Sequence, residues 1–160
     1  MAMTLQRIGL GGGCHWCTEA VFQSLAGVDH VDQGFIRSIA PNDSLSEAVI
    51  VHFDPARIDI ATLIEAHLHT HASTSAHSMR HKYRSAVYIF DDAQTRDTRD
   101  ALAALQDQFD APLVTEVLPF AGFEASDARF QNYYASDPER PFCQTHIAPK
   151  LAKLRARAAS

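Results

Sequence analysis

Positive charge is in short supply: 14 Lys and Arg against 19 Asp and Glu leave a formal net charge of −5 over 160 residues. The cations are scattered until the closing stretch KLAKLRARA, which excludes an extended nucleic-acid footprint, and that basic tail reads as the solvated face of a helix. No stretch approaches the roughly 18 consecutive apolar residues of a membrane span, and the opening MAMTLQRIGLGGG lacks the apolar run of a secretory signal. A cytoplasmic protein with no membrane and no nucleic-acid partner is the expectation. Cysteine is equally sparse. Three thiols, an odd number, do not make a disulfide framework, and in a reducing compartment such residues serve catalysis, metal binding or the core. Internal repeats and low-complexity linkers are missing as well, so 160 residues with 46% apolar content read as a single domain over 1–160.

What is present has a regular order. LQRIGL reads as a strand running into a glycine turn, and from Cys14 the apolar positions Ala20, Val21 and Leu25 recur at helical spacing until Gly27. VDHVDQGFIRS and EAVIVHFDP read as two strands separated by a loop around APNDS. Asp59 caps a helix with Ile60, Leu63, Ile64 and Leu68 on one face. YRSAVYIF is a strand by alternation, and Asp91 or Asp92 opens a long helix. This β-α-β-β-α-β order is that of an α+β, ferredoxin-like split β-α-β two-layer sandwich. PLVTEVLPF adds a strand and ASDARFQNYYAS a helix, and DPERPFCQTHIAPK reads as an irregular C-terminal tail.

The stretch GGGCHWCTEA concentrates the chemistry. A thiol at a helix N-terminus meets the partial positive charge of free N–H groups, which favours the thiolate. Three readings of Cys14 stand at this point. It is a small buried residue after a turn, half of a C-x-x-C redox pair with Cys17, or part of a zinc site completed by histidines among His67, His69, His71 and His77. Elsewhere, Glu47 opens a strand whose other residues are nearly all apolar, a place for a partly buried acid, and Tyr83 opens the strand YRSAVY. Trp16, the one tryptophan, is core or a pocket wall.

Taken in order, GGGCHWCTEAVFQSLAGV, SEAVIVHFDP, KYRSAVY and FQNYYASDPERPFCQTHIAPKLAKLR resemble the A class of peptide methionine sulfoxide reductases. That class carries Gly-Cys-Phe-Trp, Ala-Glu-Ala-Val, Gln-Tyr-Arg-Ser and a Gln-Asn-Tyr segment before a late cysteine, so the resemblance covers nearly the whole chain. It implies a thiol-dependent reductase of methionine S-sulfoxide, free or in peptides. Cys14 is then the nucleophile, Glu47 the proton donor to the sulfoxide oxygen, and Tyr83 a hydrogen-bond donor to that oxygen. His15 and Trp16 fall where the family builds its methyl pocket. The sulfenic acid left on Cys14 condenses with a resolving thiol, Cys143 or Cys17, and a thioredoxin-type reductant resets the disulfide, with no cofactor and no metal. These groups should line one small cavity floored by Trp16.

The chain departs from the family at defined points. His15 replaces an apolar phenylalanine with a titratable ring. The spacing from Gly34 to Glu47 is shorter than in typical members and lacks a substrate-site tyrosine. The segment from His71 to Tyr83 is shorter too, and a family aspartate before Tyr83 has no counterpart other than His77, Ser78 or His81 nearby.

Overall fold

The computed structural model describes residues 5–75 and 82–159. Alternating apolar residues make β1 (Gln6–Gly11), whose Ile8 and Leu10 are fully buried. After the glycine turn comes α1 (His15–Gln23), then β2 (Val28–Arg37) and β3 (Ser46–Phe53). α2 (Ile60–His69) begins where the Asp59 carboxylate accepts from the Thr62 N–H at 2.8 Å. β4 (Ala86–Ile89) leads to α3 (Asp92–Leu105), capped in the same way by Asp91 on the Gln94 N–H. No helix among the described residues is long and apolar enough to cross a membrane.

The strands form one six-stranded sheet in the order β5-β4-β1-β3-β2-β6, where β5 is Glu116–Pro119 and β6 is Gly122–Ala125. β1 pairs antiparallel with both β3 and β4, and β3 pairs antiparallel with β2. The protein is therefore an α+β fold. The main core lies between one sheet face and the helices: Val49, Val51 and Phe53 of β3 meet Val21 and Phe22 of α1 and Leu63, Ile64 and Leu68 of α2. Each of these side chains contributes about 1.5–3 kcal/mol by leaving water. The other sheet face carries a smaller cluster of Ile36, Ile50 and Tyr88, flanked by Phe90, Leu118, Phe120 and Phe123.

The C-terminal third differs from the sequence-based reading. Beyond β5, the chain adds β6, which pairs with β2 through Gly34, where a Cβ would collide with the Glu124 carbonyl. A 3-10 turn (Ala128–Phe130) and the short α4 (Tyr133–Ser136) follow. The expected irregular tail is helical from Cys143: a π-helical turn (Cys143–Ile147) runs straight into α5 (Ala148–Ala159). The reason is an apolar stripe at helical spacing, with Cys143, Ile147 and Leu151 buried, which holds the helix together through Pro149 just past the π-helical turn. β4 is also shorter than expected and begins at Ala86, so Tyr83 lies in the loop before it.

Candidate active site

Cys14 is the N-cap of α1. Its carbonyl accepts from the N–H groups of Cys17 and Thr18, each at 3.1 Å, while its side chain remains half-buried at the helix entrance. The turn before it is held from below by two histidines of α2 and its end. The His67 Nε2 donates to the Gly11 carbonyl at 2.7 Å, and the His71 ring, hydrogen-bonded to the Ser85 hydroxyl at 2.8 Å, packs on Gly12. Gly12 has φ +153°, and any Cβ there would run into the His71 ring, so glycine is required on both counts.

Three effects hold the Cys14 thiol below its ordinary value. The largest is a hydrogen bond donated by the Cys17 thiol; the N–H groups of Trp16 and Cys17 add to it, against burial and the charge of Glu47. Cys17 is pushed strongly upward by the same hydrogen bond, by its burial and by the Cys14 charge. Cys143, fully buried on the π-helical turn, lies within electrostatic range of Cys17, and its thiol too is raised, by burial. The Cys17 sulfur also lies 4.0 Å from the His146 carbonyl of that turn. No disulfide joins any of the three cysteines.

Glu47 stands at the start of β3, 8% exposed. Its Oε1 accepts from the His15 backbone N–H at 3.3 Å and lies 3.5 Å from the His15 Nε2; its Oε2 lies 3.7 Å from the Lys82 ammonium. The loop carrying Lys82 and Tyr83 is clamped to this strand end. The Glu47 N–H and the Ser46 hydroxyl both donate to the Lys82 carbonyl at 2.9 Å, and the Arg84 N–H donates to Ser46 at 2.8 Å. The Lys82 ammonium hydrogen-bonds the Tyr83 hydroxyl, lies 5.1 Å from the centre of its ring, and is raised above its ordinary value chiefly by that contact, then by Glu47. Lys82 thus joins Glu47 to Tyr83. Nothing in the sequence reading marked it, although its place beside Tyr83 was the available signal.

The Trp16 indole stacks on Tyr133 at 4.2 Å between ring centres and meets Phe142 edge-on at 5.2 Å. A second residue that sequence reasoning passed over builds this wall. Glu19, one helical turn beyond His15 and fully buried, accepts from the backbone N–H groups of Asn132 at 2.9 Å and Tyr133 at 3.1 Å and from the Gln33 amide at 2.8 Å. Burial raises its carboxyl above the ordinary value, while these donors pull the other way.

Cys14, Cys17, His15, Trp16, Glu47 and Tyr83 are therefore carried at one end of the sheet, with Cys143 within electrostatic range of Cys17. Three open hollows of about 440, 340 and 370 Å³ lie elsewhere, and none is lined by Cys14, Glu47 or Tyr83. The histidines weighed as zinc ligands serve other partners: His67 and His71 support the glycine turn, and His69 bonds Gln108. His77, like Ser78 and His81, falls outside the described residues. Among the described residues, the set whose ligand atoms converge within 4.8 Å is His30, Asp32 and His52, which contains no cysteine and sits at the other end of the β2–β3 ladder.

Positions 6–160 match the family model described as peptide methionine sulfoxide reductase. A curated relative from Chromobacterium violaceum, named peptide methionine sulfoxide reductase MsrA, is 37% identical over 169 residues and is covered to 96%, as is this chain. The crystal structure of Mxr1 from Saccharomyces cerevisiae in reduced form superposes with a TM-score of 0.76 at 20% identity, over 89% of this chain and 91% of that one. The structure of the same yeast protein in complex with Trx2 superposes with a TM-score of 0.64 at 20% identity, over 81% and 84%.

Proposed function

The chain belongs to the peptide methionine sulfoxide reductase family and is an enzyme of thiol-dependent methionine sulfoxide reduction; on that premise we propose that Cys14 attacks the sulfoxide sulfur and Glu47 supplies the proton its oxygen needs. The observation carrying this reading is the pairing of a thiol held below its ordinary value at a helix N-terminus with a buried carboxyl at the adjacent strand end. A sulfoxide is a poor electrophile until its oxygen takes a proton, so a thiolate beside an acid is the pair the reaction demands. Tyr83, held by Lys82, donates a second hydrogen bond to that oxygen. Trp16, backed by Tyr133 and Phe142, is the apolar wall against the substrate methyl, with His15 beside it. The substrate is the S epimer, free or in peptides.

The first step consumes one proton: the thiolate and the sulfoxide become a sulfenic acid on Cys14 and a thioether. Cys17 then resolves it. While Cys14 is a thiolate, its charge and the shared hydrogen bond keep the Cys17 proton in place. Once Cys14 carries a hydroxyl, both influences vanish, and Cys17 condenses with it to a disulfide, releasing water. Cys143 stands next in line. The likeness to Mxr1, seen in complex with Trx2, supports a thioredoxin-type protein as the final reductant. The order β4-β1-β3-β2 of the four central antiparallel strands supports the ferredoxin-like description of the core. Reduction of methionine-S-sulfoxide with a dithiol donor tests the reading: Cys14→Ser abolishes turnover, and normal turnover in that variant overturns it.

A further inference from the structure

Resting on that reading, we propose that His15 is a positioning residue that shares one proton with Glu47, so that the reaction draws its proton from a carboxyl–imidazole pair. The ring's orientation is set by Gly34, whose carbonyl lies 2.7 Å from Nδ1. A carbonyl only accepts, so Nδ1 carries a hydrogen, and in the neutral ring Nε2 is bare. Nε2 lies 3.5 Å from the Glu47 Oε1, which is also anchored by the His15 backbone N–H. Both residues are buried, at 6% and 8% exposure. A bare nitrogen facing an ionised carboxylate there would set two acceptors against each other with little water between them. One proton therefore resides on the pair, on Glu47 or on His15.

The charged groups facing His15 agree on where that proton goes. On α1 itself, Glu19 favours a charged ring; on β3, Glu47 does the same. From the loop before β4, Lys82 favours the ionised carboxylate and Tyr83 is held beyond it. β2 offers only the Gly34 carbonyl and the Phe35 ring, 5.1 Å away. His15 accordingly holds the proton in reserve and returns it through Glu47 as the sulfoxide oxygen leaves. The S–O bond of the substrate breaks and one forms on Cys14, whose sulfur loses the two electrons that the substrate sulfur gains.

The test is the single-turnover rate of thioether formation from methionine-S-sulfoxide against pH, for the wild type, His15→Phe and His15→Gln. Both variants are expected to be slower than wild type, with the deficit widening tenfold or more between about pH 6 and about pH 8, because the carboxyl no longer has an imidazole partner to return a proton to it. Profiles of unchanged shape overturn the proposal. Should either variant fail to fold, nitrogen spectroscopy of the wild-type ring decides. Nδ1 is expected protonated throughout, with the Nε2 signal changing at the pH where the rate falls and moving in Glu47→Gln; an Nε2 signal indifferent to Glu47 overturns the proposal. A wild type that forms no thioether at any pH fails the underlying reading itself, a result distinct from either.

Discussion

The Glu19 carboxylate accepts the backbone N–H of Tyr133, 114 residues further along the chain, at 3.1 Å. One buried carboxyl on α1 thereby ties down the segment that backs Trp16. Glu19→Ala leaves the Asn132 and Tyr133 N–H groups and the Gln33 amide short of an acceptor, at about 1–3 kcal/mol for each donor that stays buried. The expected result is a tail that exchanges its amides faster and a KM for methionine sulfoxide that rises more than kcat falls. Unchanged exchange over residues 126–136 contradicts this.

Glu19 also gives stability a pH dependence of definite sign. Its folded carboxyl binds a proton more tightly than the ordinary 4.5, so the folded state holds more protons in the window above 4.5. The contribution to stability is therefore full below that window and is lost as pH rises through the raised value. Glu19→Gln, measured by denaturant unfolding against pH, is expected to remove this decline; a slope identical to wild type contradicts it.

For Cys14, the hydrogen bond from Cys17 is the largest influence. Alkylation of Cys14 by iodoacetamide should reach half its maximal rate below pH 9.0 in the wild type, and at a distinctly higher pH in Cys17→Ala. Coincident profiles would remove Cys17 from that role.

At Gly12, an alanine meets both a backbone conformation that side chains resist and the His71 ring. A loss of about 1–3 kcal/mol from the backbone alone is expected in Gly12→Ala. Activity should fall further than stability, because the turn aims Cys14.

Glu47→Gln keeps the shape of the strand end and removes the acid. The reductive step is expected to slow by about 10²–10⁴-fold with the melting temperature nearly unchanged. Lys82→Met should slow it less, since Lys82 aligns Glu47 and Tyr83 from a half-exposed position.

Much of this was legible in the sequence because it rests on local patterns. The strand LQRIGL, the caps at Asp59 and at Asp91 or Asp92, of which Asp91 is the one that caps, and the apolar face of α2 each point to the element that forms. Cys14 at the helix entrance was readable for the same reason. Glu19 and Lys82 were not, because their roles arise from partners distant in sequence: Tyr133 in one case, the strand end at Glu47 in the other. The helix from Cys143 is a different kind of miss. The spacing Cys143, Ile147, Leu151 is helical, but it is interleaved with Pro138, Pro141 and Pro149, and only the burial of that stripe shows that the helix forms across them.

The central claim is that Cys14 is the nucleophile and Cys17 its first resolving thiol. Mass mapping after one equivalent of methionine-S-sulfoxide, with free thiols trapped at once, tests it most directly. The account predicts one equivalent of methionine and a disulfide joining Cys14 to Cys17, with Cys143 alkylated. Methionine formed while Cys14 remains a free, alkylatable thiol would contradict it.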